Sequence, residues 1–105
     1  MVEVNLKEYA KILYEKTVSG EYVWESSGDK KYRLIMNKGS IVLSKDYSTI
    51  DSWYYCINFY GTSTLIYSAT IKKNDVIYSD YKTLYETIIS KNNEKINSQI
   101  SELFK

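Results

Sequence analysis

The residues of this chain that could do chemistry are mostly phenolic. Between positions 53 and 60 aromatic residues crowd one segment. In an extended chain Tyr54, Cys56, Asn58 and Tyr60 fall on one side and Trp53, Tyr55, Ile57 and Phe59 on the other. A tyrosine offers a flat apolar ring with a polar tip, suited to stacking on a flat ligand or to anchoring an interface. Arg33 is the only arginine among 14 basic residues. It is the single candidate for a bidentate grip on phosphate or carboxylate. Trp24 could stack on a base or sugar, or fill the core. Tyr54, Tyr60, Arg33, Asn58 and Trp24 are therefore the expected binding face. The plainer account of the same residues is a half-solvated strand in which tyrosine is simply a good strand former.

Catalysis has little to work with. There are 12 Tyr, no His, no Pro and one Cys. Without imidazole the commonest general base and the commonest metal ligand are both missing. Cys56 has no histidine to activate it and no second cysteine for a disulfide or a CxxC pair. Asp29, Asp46, Asp51, Asp75 and Asp80 sit where turns and caps explain them. The four glycines fall at turns, and no phosphate-cradling GxxxxGK[ST] run occurs. The expectation is a protein that is not an enzyme, with no catalytic residue, no metal and no cofactor.

A chain of 105 residues with 44% hydrophobic residues should fold as a single domain, 1–105. Its net charge of +1 lacks the footprint of a duplex-binding protein. The opening residues 1–7 do not read as a secretory leader. No apolar run approaches the roughly 20 residues that span a bilayer. These features point to a soluble protein of a reducing compartment, the cytoplasm, with no membrane partner.

The elements that must position these residues follow from periodicity. Asn5 and Glu8 have a capping-box spacing. Leu6, Tyr9, Ala10, Leu13, Tyr14 and Thr17 then form one helical stripe, stopped at Ser19-Gly20. From 21 to 77 the period is two. Strands are expected at 22–25, 31–36, 41–45, 53–60 and 64–72, with turns at 26–29, 37–39 and 61–63. Short links favour an antiparallel meander. Arg33, Ile35, Val42 and Ile66 should share the face of Tyr54 and Tyr60, making it more apolar than solvent requires. Ser79 or Asp80 caps a second helix with the stripe Tyr81, Leu84, Tyr85, Ile88 and Ile89. Ile96, Ile100, Leu103 and Phe104 keep the spacing beyond Asn92-Asn93, where the helix either continues or breaks. If it continues, this last stripe overhangs the core and serves a homo-oligomer or another partner. The predicted fold class is α+β: an N-terminal helix, a five-stranded antiparallel meander and a C-terminal helix, with both helices on one sheet face.

The run Lys16-Thr17-Val18-Ser19-Gly20-Glu21-Tyr22-Val23-Trp24, with Leu84-Tyr85 later, resembles a loose group of small bacterial and phage proteins. In these a helix–KTxxGxxxW–strand opening leads into a meander and a closing helix. The resemblance covers roughly residues 6–90. It implies the α–β–α order and a bacterial or phage origin, and it carries no catalytic residue. By class-level analogy such proteins act stoichiometrically. The expected function is an inhibitor or adaptor that binds a host protein, such as a defence protein. The alternatives are a sponge for a nucleotide-like signalling molecule and a self-assembling structural subunit.

Overall fold

The computed structural model describes residues 3–105. Met1 and Val2, the start of the stretch read as carrying no leader, lie outside the described residues. Helix α1 spans Leu6–Val18, with Ala10, Leu13 and Thr17 buried. As the spacing predicts, the Asn5 side chain caps it, accepting the Glu8 N–H at 3.2 Å. Strands β1 (Glu25–Gly28), β2 (Lys31–Met36), β3 (Gly39–Ser48), β4 (Ser52–Tyr60) and β5 (Leu65–Ile71) follow, and α2 spans Tyr78–Glu102. The sheet order is β1-β2-β3-β4-β5, every pair antiparallel. This is the predicted α+β meander between two helices.

Register fixes the faces. Tyr32 and Leu34 pair with Leu43 and Ile41, which pair with Ile57 and Phe59. These residues form the inner face, continued by Ala69 and Ile71. Both helices lie on it: Tyr9 of α1 packs on Phe59 at 5.8 Å between ring centroids, and Tyr85 of α2 packs on Tyr55 at 5.4 Å. The helices run side by side in the same direction. At one end the Tyr81 hydroxyl donates to the Leu6 carbonyl at 2.7 Å, and Lys7 pairs with Asp80. At the other, Thr17 shares a cleft with Lys91 and Asn92. Ala10, Leu13, Leu84, Tyr85 and Ile88 press the helices onto Leu34, Leu43, Tyr55 and Ile57.

Two local expectations fail, each for a physical reason, and one open alternative is settled. The first strand starts at Glu25, the last residue of the expected segment 22–25, and residues 26–28 of the expected turn 26–29 are strand. Residues 22–24 instead bridge from α1 to the sheet, held by the Tyr22 N–H on the Lys16 carbonyl and the Trp24 indole N–H on the Thr17 hydroxyl. Neither Ser79 nor Asp80 caps α2; Ile77 precedes the helix without a side-chain cap, and Asp80, already inside the first turn, faces Lys7. Of the two alternatives open at Asn92-Asn93, the structure shows the first: the helix runs unbroken, with the Asn92 amide turned back to donate to the Ile88 carbonyl at 3.1 Å.

Three tyrosines, Tyr55, Tyr81 and Tyr85, are almost wholly buried. The Tyr81 hydroxyl has its carbonyl partner, whereas that of Tyr55 is buried with none. A buried hydroxyl without a partner costs more than the apolar isostere. Tyr55→Phe should therefore raise the unfolding free energy by about 1 kcal/mol, and Tyr81→Phe should lower it by about 1 kcal/mol, both read by urea unfolding.

Burial also raises the pKa of all three phenols, that of Tyr85 to about 12. An unfolded tyrosine ionises near pH 10. Above that pH the unfolded chain loses protons that the native chain holds, so stability falls as pH rises. Stability should begin to fall near pH 9, where the unfolded Cys56 thiol ionises, and decline most steeply between about 10 and 12, where the unfolded phenols ionise. Tyrosinate absorbance should then report these three rings ionising only as the fold is lost.

Candidate binding surfaces

The sheet face away from the helices carries the expected binding residues. Its rows read Ile35–Ser40–Tyr60–Leu65, then Arg33–Val42–Asn58–Ser68, then Lys31–Ser44–Cys56–Thr70, with Asp46–Tyr54 last. Four of the five predicted residues, Tyr54, Tyr60, Arg33 and Asn58, share this face. Trp24 does not. It is 2% exposed, packed among the helices with its indole N–H on Thr17 Oγ1 at 2.9 Å, and is a core residue.

The outer face is more polar than its alternation suggests. Ile66 leaves it: a bulge sets Phe59 opposite Tyr67 and Tyr60 opposite Leu65, so Ile66 is the extra residue and turns toward α1. The middle rows carry Ser, Thr, Asn and Cys that satisfy one another across strands, Ser68 on Asn58 and Cys56 beside Thr70 at 3.8 Å. Partial burial raises the Cys56 thiol and the Tyr54 phenol, so neither is an activated nucleophile. Tyr54 and Tyr60 are six residues apart on β4, about 20 Å along the strand. One flat ligand cannot reach both.

Two features escape the sequence reading. Around Ile66 the inner face opens into an apolar groove of ≈ 420 Å³ between α1 and the sheet end, lined by Val4, Tyr9, Ile12, Met36, Phe59, Ile66 and Tyr67 among others. The bulge sets Ile66 at the mouth of this groove, beside Tyr67 and facing the Val4, Tyr9 and Ile12 side chains. At the opposite end of the strands Lys45 points inward. Its Nζ lies 5.1 Å from the Trp53 ring centroid, 5.8 Å from that of Tyr55 and 6.0 Å from that of Tyr85. The cation is held by aromatic faces. Alternation places Lys45 on the inner face, but nothing local in the sequence signals its three partners.

The other expected surface is present. From Asn93 onward every residue of the chain is exposed. Ile96, Ile100, Leu103 and Phe104 are 49%, 46%, 80% and 85% exposed, on a rod that projects past the Trp24 edge of the sheet. Among the described residues no group of three or more His, Cys, Asp or Glu is placed to hold a metal ion, and no helix is long and apolar enough to cross a membrane. Comparison with family models, with curated proteins and with solved structures finds no match to this chain.

The close approach of β3 to the end of β4, which sets Tyr60 on the outer face, requires glycine. Gly39 has φ +156°, and a Cβ there would lie 2.0 Å from the Tyr60 carbonyl oxygen. Gly39→Ala should cost at least about 1–3 kcal/mol in backbone strain alone, seen as a lowered melting temperature and chemical-shift changes at Tyr60 and Gly61.

Proposed function

We propose that this chain is a non-catalytic binding protein that acts stoichiometrically on another protein, as an inhibitor or adaptor, through the distal half of α2. The observation that carries this reading is the uncovered stripe Ile96, Ile100, Leu103 and Phe104. These positions follow i, i+4, i+7, i+8, the spacing with which an amphipathic helix fills an apolar groove, with Ile96 and Ile100 on α2 and Leu103 and Phe104 on the turn that ends it. The helix is rooted by Tyr81, Leu84, Tyr85 and Ile88 in the core. Ile96 and Ile100 are thus held on a formed helix before any partner arrives, which lowers the ordering cost of association. The outer sheet face, with Tyr60 and Arg33 at its rim, is a second, more polar surface that the same partner could touch. The setting we attach, from the resemblance of residues 16–24, is a phage or mobile-element protein that occludes a host defence protein.

A sponge for nucleotide-like molecules has less to support it. The stacking platform it needs is divided by the distance between Tyr54 and Tyr60, and the largely apolar groove beside α1 offers no cationic side chain for a phosphate.

The test compares wild type with Ile100→Asp/Phe104→Asp, each purified from the native host and examined by native mass spectrometry. Wild type should retain one host protein in fixed ratio. The double variant should bind that protein at least about thirtyfold more weakly, as expected for truncated anchors. Its melting temperature should stay near that of wild type, because exposed substitutions rarely move stability by more than about 0.5 kcal/mol. Retention that is indifferent to the double variant overturns the proposal. So does a rise in melting temperature on adding nucleotides alone, because a ligand that binds the native state stabilises it.

A further inference from the structure

The two edges of the sheet are built differently. β1, at one end, is four residues long, irregularly paired at Ser26/Gly28, and followed by a turn with Lys30 at φ +54°. It starts at Glu25 and is flanked by Asp29 and Lys30. Shortness, irregularity and charge are the means by which proteins keep an edge from pairing. β5, at the other end, has almost none of them. Leu65–Ile71 holds no charge, no proline and no glycine. Its one irregularity, the bulge at Ile66, falls in its first turn and leaves 67–71 regular. The apolar side chains near it are open to solvent: Leu65 is 53% and Ile66 69% exposed, and Val76, in the link that leaves β5, is 91% exposed.

We infer that β5 is a dimerisation edge, pairing antiparallel with β5 of a second copy to make one continuous ten-stranded sheet. An edge strand leaves alternate backbone N–H and C=O groups unpaired, and these call for another extended strand. The sequence of β5 fits itself. With the two-fold axis at Ala69, Tyr67 faces Ile71 of the second copy on the helix side, and Ser68 faces Thr70 on the outer side. Aromatic–β-branched and Ser–Thr pairs are both favourable cross-strand neighbours. Lys72 and Lys73 lie beyond the regular stretch 67–71, toward the uncharged, bulged start of the second strand, so no like charges meet. The contact is isologous, and the blunted β1 at each far end stops further addition, so assembly closes at two copies. Strand pairing alone falls short of the roughly 1,200 Å² that a stable dimer buries. Val4, which lines the apolar groove with Ile66 and Tyr67, extends the contact on the helix side of both copies. This inference goes beyond the proposed partner binding and does not use the distal helix.

The test needs only the purified chain. Sedimentation velocity of wild type at about 100 µM should give twice the monomer mass, within the affinity range of modest interfaces. Positions 68 and 70 oppose each other across the axis, so Ser68→Lys/Thr70→Lys should set lysine against lysine and give the monomer mass. Ser68→Lys/Thr70→Glu should set lysine against glutamate and restore the dimer. Both substitutions lie on the exposed outer face, and unchanged circular dichroism confirms that each variant folds. If either does not, amide exchange on wild type decides: alternate β5 amides should be protected when concentrated and lose protection on dilution. Ile100→Asp/Phe104→Asp should leave the dimer intact. A monomeric wild type, as expected if a foreign strand caps β5, overturns the inference. So do two folded position-68/70 variants with the same mass, β5 exchange that ignores concentration, or a dimer lost through the distal-helix substitutions.

Discussion

The constraint on which the surfaces of this molecule depend is a mismatch of lengths. Five strands spaced by about 4.8 Å place the outermost two about 19 Å apart. Helix α2 has 25 residues, about 37 Å of rod. It begins beside β4, where Tyr78 meets Tyr55, passes β2, where Tyr85 meets Tyr32, and reaches the cleft by Trp24 with Asn92. By then the sheet has ended. The radius of gyration of 14.8 Å and the 56 Å long axis record the excess, against about 13 Å for a compact chain of this size. No rearrangement of core residues would hide the last turns, because no sheet lies beneath them.

Tyrosine lets so small a sheet hold two helices. Leucine in its place would fill less of the gap between helix and strand. Tyr78 and Tyr85 of α2 each meet the Tyr55 ring of β4 at a tilted angle, with centroids 5.3 Å and 5.4 Å away, and Tyr9 of α1 meets Phe59 edge-on at 5.8 Å. Each ring contributes large apolar area with few rotatable bonds. Lys45 closes the far end of this aromatic layer in place of an aliphatic residue. A cation on ring faces seals that end while its head stays near water.

Much of this was legible in the sequence because it is periodic. The stripe of α1, its Asn5 cap, the alternation of β4 and the stripe of α2 each repeat a local rule several times. What was not legible turns on single events. One extra residue at Ile66 takes an apolar side chain off the outer face and opens a groove, and alternation carries no sign of a bulge. Trp24 reads as a strand residue with Val23 and Tyr22 beside it. A hydrogen bond to Thr17, seven positions earlier, makes it the floor of the bridge between helix and sheet. At Asn92-Asn93 low propensity leaves open whether the helix breaks or continues. It continues from its firmly packed first half, with the Asn92 amide folded back on the Ile88 carbonyl. Of the candidate site, the distal stripe and four outer-face residues were readable; the spacing of Tyr54 and Tyr60 along one strand, rather than their shared face, limits what they can hold together.

The seam between the two helices has a consequence for how the chain folds. Every strand pairs with its neighbour in sequence, so the sheet can grow hairpin by hairpin with short loops to close. The seam between α1 and α2 is not of this kind: its bond from Tyr81 to Leu6 spans 75 positions and its Lys7–Asp80 pair 73. Its closure becomes inexpensive only once the intervening meander has drawn the two ends together. On loop-closure grounds the docking of α1 beside α2 should follow the meander rather than lead it, and until α1 docks, the inner sheet face beneath it stands bare to water.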